Sequence, residues 1–580
     1  MTLPTPSLNA TLPIRPADFG TMVEALDYAA GGDTGINFYS GKGDLIEALT
    51  YQNLRDQAKQ LAHRLLNAGL QRGDRVALIA ESDGDFARSF FACQYAGLVP
   101  APMPLPAAFG GKETYVAHIR RMIESADASA AFGPASLEAW LADAAQGLKL
   151  KISGTLKDPD RFPAEGKALA APTGDDLAYI QFSSGSTRFP LGVMVTQRAL
   201  MANAFANAHH GIKLRKGDRT VSWLPFYHDM GLIGFLLTPI ACQNSVDILP
   251  TREFARRPLV WLSLMSRNRA SLSYSPSFGY ELCARRAETA PIDHLDLSAW
   301  RVAGIGGDMI RPEILARFAK QFAPQGFRSE AFVASYGMAE TTLALSFAPL
   351  ERGIRTDTID TTILEQNHLA QPSEPGTERT REFVACGPAL PLHQLEVRDP
   401  EGKALPSRHV GRVFAHGPSM MQGYFGNQDE TQRVLSADGW LDTGDLGYML
   451  DGEIIITGRA KDLIIINGRN IWPQDLEWTA ENEVEALRSG DVAVFSTDID
   501  TNEKIVALVQ CRALTPEARD SLKLSVAGVL RARHGVDASV VLVPPRSLPQ
   551  TSSGKLSRSK AKSMFREGQF ASAPTPSLAS

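Results

Sequence analysis

Cysteine is scarce in this chain: five residues in 580, at 93, 242, 283, 386 and 511, with no two at metal-ligand spacing. Such scatter supports neither a disulfide framework nor a zinc site, and it suits a reducing cytoplasm. There is no charge excess either. Lys and Arg number 59 against 64 Asp and Glu, a formal net charge of -5, so nothing in the bulk draws the chain to nucleic acid or to an anionic membrane. Long apolar runs are also missing. The most apolar stretch, Gly231 to Cys242, is interrupted by Thr238 and Pro239 and stays well below the roughly 20 residues that span a bilayer. The segment Met1 to Phe19 carries prolines and polar residues where a secretory signal needs a basic start and an apolar run. Neither a transmembrane helix nor a signal peptide is expected.

What is present is an α/β chain too long for a single core. Thr50 can cap a helix whose apolar positions Leu54, Ala58, Leu61, Ala62, Leu65 and Leu66 recur at helical spacing until Gly69. Val76 to Ala80 follows as a buried strand and Asp85 to Ala96 as a helix stopped by Gly97. Prolines at 100, 102, 104 and 106 are then expected to end regular structure. Helix, strand, helix, strand implies a mostly parallel sheet.

Several later stretches offer chemistry. An apolar approach, Tyr179 to Phe182, breaks into Ser183-Ser184-Gly185-Ser186-Thr187-Arg188-Phe189-Pro190-Leu191-Gly192. Small hydroxylated residues around a glycine can turn N–H and O–H groups toward a phosphate, and they equally make an ordinary turn between strands. The loop lacks the Gly-Lys-Ser/Thr ending of a P-loop NTPase. Trp223 to Gly231 is aromatic-rich with His228 and Asp229 near its end, which reads as the wall of an apolar slot or as plain core packing. Arg301 to Asp308 runs into a glycine turn, Gly304-Ile305-Gly306-Gly307-Asp308, and Ala334 to Thr342 repeats the arrangement with Tyr336 and Glu340. A tyrosine ring offers a face to a purine, and a carboxylate can hold magnesium. Residues 351–381 turn polar without periodicity, as an insertion or long surface loop. Short strands follow, with a turn Asp442 to Gly447, and a polar break at Gly458-Arg459-Ala460-Lys461-Asp462 puts a boundary near 459. A basic loop, Thr551-Ser552-Ser553-Gly554-Lys555, precedes an Ala/Ser/Pro-rich end.

Taken in order, the loop at 183–192, Tyr336 to Thr341, Thr443 to Gly447, Gly458 to Asp462 and Thr551 to Lys555 resemble the motifs of the adenylate-forming, AMP-binding superfamily. Nearly the whole chain is covered. Within that superfamily it looks most like the fatty acyl-AMP ligases: Arg188 and Leu191 replace residues of the usual Gly-x-Pro-Lys-Gly ending, Trp223 to Gly231 resembles their acyl-pocket segment, and Gly458 to Glu477, with Asn467-Gly468-Arg469-Asn470, resembles their hinge. The 351–381 loop lies where they carry an insertion that hinders the use of coenzyme A. The chain departs from the pattern at Ile305 to Met309 and at Ser277, and selectivity is what such departures change.

The resemblance implies an α/β fold class: a large N-terminal domain of parallel-type sheets with helices plus a small β-barrel-like subdomain (1–458), a small mobile α+β C-terminal domain (459–568), and a disordered tail (569–580). It implies ATP and Mg2+, with Ser183, Ser184, Gly185, Ser186 and Thr187 on the β- and γ-phosphates. Gly306, Gly307, Asp308, Ser335, Tyr336, Gly337, Met338 and Ala339 would line the nucleotide, Tyr336 stacking near adenine. Glu340 would bind magnesium, Asp445 would bind the ribose hydroxyls with Arg459 assisting, and Lys555 would be the mobile catalytic cation. Lys461 would be the hinge. A fatty acid would enter a slot near Phe226, His228, Asp229, Met230, Phe278, Gly304 and Ile305, and the acyl group would pass to the phosphopantetheine thiol of an acyl carrier protein. A long-chain acyl-CoA synthetase shares the first half-reaction and is the nearest alternative. An amino-acid adenylation domain and a catalytically dead acyl-nucleotide binder are further ones, the last opposed by the presence of Glu340, Asp445 and Lys555.

Overall fold

The computed structural model describes residues 12–106, 111–183, 190–466, 469–499, 502–513, 515–551 and 554–570. The first helix expected from spacing forms at Tyr51–Asn67, and the Thr50 side chain accepts the Asn53 N–H at 3.0 Å. Its buried face is Leu54, Ala58, Ala62, Leu65 and Leu66, which is the apolar stripe. The helix Gly84–Ala96 ends on Gly97 at φ +66, a left-handed stop that suits glycine.

One region differs from expectation. Val99–Met103, with prolines at 100 and 102, is a strand pairing in parallel with Arg75–Ile79. It lies at the edge of a four-stranded parallel sheet completed by Ala128–Gly133 and Ile152–Thr155. Proline lacks the donor a central strand needs, and an edge asks for none on its open side.

The larger sheet has eight strands. Its inner six run parallel, in the order Phe332–Gly337, Val302–Ile305, Leu272–Ser275, Arg219–Ser222, Ser245–Ile248 and Gly35–Tyr39. Antiparallel strands Ala344–Phe347 and Leu45–Thr50 close its two edges. Because the six share one direction, their C-terminal ends, including Gly306 to Asp308 and Ser335 to Gly337, gather at one rim, where α/β sheets bind ligands. The Leu177–Phe182 strand approaching the phosphate-type loop pairs instead with Gly192–Thr196, in a three-stranded antiparallel sheet.

The β-rich subdomain is an open four-stranded antiparallel sheet, Gln394–Arg398, Gly411–His416, Leu441–Leu450 and Glu453–Arg459; among the described residues it does not close into a barrel. Residues 351–381 are not an irregular loop. Thr356–Asp360 pairs with Thr380–Val384, and the helix Thr361–Asn367 sits between them. Beyond residue 463, two buried clusters draw all their members from the C-terminal segment, around strands Val492–Ile499, Asn502–Gln510 and Ala538–Val543. Trp472 is the exception, buried among Ile359, Leu364, Phe383 and Tyr448. No described helix is long and apolar enough to cross a membrane.

Candidate active site

At the rim of the large sheet, backbones approach too closely for side chains. A Cβ on Gly306 would stand 2.8 Å from the Ser335 carbonyl oxygen, and one on Gly337 would stand 1.9 Å from that of Leu343. These glycines let three chain segments converge. Tyr336 is 9% exposed and its hydroxyl donates to Asp445 Oδ2 at 2.8 Å. Asp445 faces Arg459 across the strand pair, with Arg459 Nε at 3.6 Å from Oδ1. Burial pushes the Asp445 carboxyl up, while Arg459, Tyr336 and Lys555 pull it back.

Glu340 sits in a tight turn, Ala339–Thr341, 7% exposed. The Tyr424 hydroxyl donates to its Oε1 at 2.9 Å, and the Met421 N–H donates to its carbonyl at 2.9 Å. Burial raises its pKa; Tyr424 and Arg459 oppose that. Immediately after it, Thr342 adopts φ +69 and ψ -62, and Leu343 N–H donates to Thr341 O at 2.9 Å. This is a γ-turn of the rare positive-φ kind. The Thr342 hydroxyl ties the turn to Ser419 O at 2.8 Å. Met338 and Ala339 lead into it, the Met338 N–H donating to Thr341 Oγ1 at 3.3 Å.

Lys555 arrives from the far end of the chain. Its turn is pinned by Thr551, whose N–H donates to Lys555 O at 2.7 Å and whose carbonyl accepts from Gly554 at 2.9 Å. Its Nζ lies 3.9 Å from where a Cβ on Gly307 would be. Burial lowers the lysine pKa against the pull of Asp308, Asp229 and Asp445, with Arg459 adding to the lowering. Asp308 is raised to about 6, chiefly by burial, and its Oδ1 finds no hydrogen-bond partner among the described residues. Asp229 is lowered: burial would raise it, but His228 at 2.5 Å, Lys555 and the Met230 N–H at 2.7 Å outweigh that. Lys461 is lowered to about 8 by burial and by Arg459.

A space of about 860 Å3, solvent at its open mouth included, extends from this cluster. Asp229, Met230, Gly307, Ser335, Tyr336 and Gly337 line its near end, and Phe235, Leu272, Tyr274, Leu343 and Phe347 form much of its wall. Several residues expected in an acyl slot do not line this cavity. Phe226 is fully buried and stacks on Phe86 with ring centroids 5.6 Å apart. Phe278 packs edge-on to Trp223 and Ile305 is core. Gly304 contributes indirectly, since a Cβ there would meet the Tyr274 ring at 2.0 Å. His228 reaches the cluster through Asp229. Of the phosphate-type loop, Ser183 donates its N–H to Leu191 O at 2.9 Å, and its hydroxyl is buried without a partner among the described residues. Ser184, Gly185, Ser186, Thr187 and Arg188 lie outside the described residues, as do Asn467, Gly468, Ser552, Ser553 and residues 571–580. Tyr424, the partner of Glu340, carries no signal in any motif.

Residues 34–425 match the family described as AMP-binding enzyme. The chain belongs to that family. This AMP-binding enzyme is 57% identical over 558 residues, 96% of its length and 97% of the other's, to a protein of Caulobacter vibrioides named provisionally as an acyl-CoA synthetase. It is 31% identical, over 95% of its length and 96% of the other's, to the medium-chain-fatty-acid–[acyl-carrier-protein] ligase JamA of Moorena producens. Its fold superposes with a TM-score of 0.92, at 46% identity and covering 97% of this chain and 100% of the other, on a structure from work on the fatty acyl-adenylate ligases of E. coli and L. pneumophila. It is a ligase of the fatty-acid-adenylating kind.

Proposed function

We propose that the enzyme is a fatty acyl-AMP ligase working in the cytoplasm, which joins a fatty acid to AMP with release of pyrophosphate and then passes the acyl group to the phosphopantetheine thiol of an acyl carrier protein. In the first step a carboxylate oxygen attacks the α-phosphorus of ATP and the bond to the β-phosphate oxygen breaks. Two anions must meet, so charge neutralisation at the meeting point is the protein's main task. Lys555, at the rim beside Gly307, would supply a cation to both. Asp445 would accept the ribose hydroxyls, which an ionised carboxylate can do with two oxygens. Tyr336, held by that carboxylate, would face adenine. Gly306 to Asp308 and Ser335 to Ala339 would surround the nucleotide, with Ser183 to Thr187 on its outer phosphates.

Glu340 is the carboxylate that would hold magnesium. No cluster of three or more metal-ligating side chains stands among the described residues, which fits an ion that takes most of its ligands from phosphate and water. When bound, the ion supplies neutralisation of phosphate charge.

The observation that favours a carrier protein over coenzyme A is the clasp between residues 356–384 and the C-terminal segment. Glu365 accepts from Arg469 at 2.7 Å and its carbonyl from Asn470 at 3.1 Å, while Arg381 pairs with Asp475 at 2.5 Å. These contacts would resist rotation of residues 459–568 about Lys461, the motion that admits a thiol in place of Lys555. A carrier protein, whose own surface contacts can offset that resistance, would then be served better than a free thiol such as coenzyme A. The test is incubation of the enzyme with ATP, a fatty acid and either coenzyme A or a holo-carrier protein, with products followed by mass spectrometry. Acyl-AMP accumulating beside coenzyme A, and thioester only with carrier, is expected. Acyl-CoA formed at the carrier rate would overturn the choice of acceptor, and no pyrophosphate with any fatty acid would overturn adenylation.

A further inference from the structure

The cavity is not uniformly apolar. Asn207, Thr238 and Tyr274 all line it, and Asn207 Oδ1, Thr238 Oγ1 and the Tyr274 hydroxyl are buried with no hydrogen-bond partner among the described residues. Asn207 is 5% exposed and Thr238 6%. Such groups are expensive to leave unpaired and rare in folded proteins, so each asks for an explanation. The Asn207 amide cannot be turned round to remove the problem. Its Nδ2 donates to Asn203 Oδ1 at 2.8 Å, and Asn203 is fixed in turn because its own Nδ2 donates to the carbonyls of Ala344 at 2.9 Å and Thr341 at 3.3 Å. The oxygen therefore faces the unpaired side.

Their place along the cavity matters. Asp229 lies at the nucleotide end, and Thr238 stands nine residues further along a continuous run of helical turns, about 13 Å on at helical rise. Leu272, level with Thr220 in the sheet, likewise lies three residues below Ser275 at the rim, roughly 10 Å at strand rise. Thr220 and Asn244 line this far end and are already satisfied by each other, Asn244 Nδ2 donating to Thr220 Oγ1 at 2.9 Å.

Resting on the adenylation reading above, we propose that the preferred acyl chain carries a hydroxyl group remote from its carboxylate, bound by Thr238, Tyr274 and Asn207. A hydroxyl both donates and accepts, so it suits an acceptor such as Asn207 Oδ1 and the two hydroxyls alike. A ketone would leave Asn207 unpaired, and a bare hydrocarbon would leave all three.

The experiment compares kcat/KM for pyrophosphate release with matched pairs of plain and ω-hydroxy fatty acids, from octanoate to hexadecanoate, with 3-hydroxy acids as a control for position. The wild type is expected to favour the ω-hydroxy acid at its best chain length by about ten-fold or more, since a site built to bind a hydroxyl rejects the analogue lacking it. The 3-hydroxy acids should gain nothing. In Thr238→Val and Tyr274→Phe, both near-isosteric, the ratio should collapse toward one through a larger loss with the hydroxy acid. A structural role alone would lower both substrates together and leave the ratio in place, which overturns the proposal. Faster turnover of the plain acid by the wild type overturns it while leaving adenylation intact, and absence of turnover with every acid removes both.

Discussion

The two sides of the active cluster are held in place by different forces. Tyr336, Glu340 and Asp445 stand on strands and turns anchored in apolar cores, where each neighbour is fixed by several others. Lys555 belongs to a segment that meets the rest of the molecule across a seam of charges. Arg311, 7% exposed, reaches Ser489 at 3.1 Å and Asn482 at 3.3 Å and lies 5.1 Å from the Trp478 ring. Arg381 and Glu365 complete the seam, and Trp472 is its main apolar member. Burial of a core is not undone within a turnover, whereas polar contacts between bodies of one chain can be. On the function proposed above, the pocket around Tyr336 and Asp445 would stay in place through a turnover while Lys555 could leave it and return.

Removing the cation should have the largest effect. Lys555→Ala is expected to slow pyrophosphate release by about 10²–10³-fold, as loss of a charge-stabilising group does, while calorimetry still detects ATP binding; full activity would take Lys555 out of the mechanism. Next in size is damage to the seam. Arg381→Ala strands Asp475, a carboxyl raised to about 6 by burial against the pull of Arg381, and should cost about 3 kcal/mol. Faster proteolysis near residues 459–475, without faster cleavage in the parallel sheet, is the outcome that separates seam from core.

The third prediction is a pH dependence. Asp308 is raised from 3.8 to about 6, so between those values the folded chain holds more protons than the unfolded one. Stability therefore falls as pH rises through that window and the loss persists above it. Asp308→Asn should raise the thermal midpoint at pH 7.5, by the equivalent of at most ~3 kcal/mol, and leave it unchanged below pH 4; the reverse ordering would mean that the carboxylate is stabilised by Lys555 more than burial opposes it. The smallest effect is expected far from both sides. Thr50→Ala removes a helix cap and should cost about 1 kcal/mol in urea unfolding without altering kcat.

The parts of this design that were legible in the sequence were those written within one short stretch. The cap at Thr50 and the stop at Gly97 depend on neighbours a few residues away, and the spacing reveals them. The cavity wall was not legible in that way. Phe226 is expected in the slot from its aromatic-rich segment and Phe278 from the family resemblance, yet an aromatic side chain is more often taken up by core packing, as both are here. Tyr274, Asn207 and Phe347 come from three elements that meet only through sheet pairing and helix packing, contacts that no local pattern encodes. Thr238 did leave a trace, as the hydroxyl that interrupts the chain's most apolar stretch. The prolines at 100 and 102 misled because the rule against proline in strands relaxes at an edge, and which strand is an edge is decided by the whole sheet.

The γ-turn at Thr342 has a bearing on timing. A non-glycine residue at φ +69 is held uphill by what surrounds it, at a cost of order 1–3 kcal/mol, and here that surrounding is the buried bond to Ser419. The work of bending the chain behind Glu340 is thus done once, when the protein folds. On the function proposed above, a nucleotide arriving later would meet a carboxylate already in position, and none of its binding energy would be diverted to shaping that corner in each cycle.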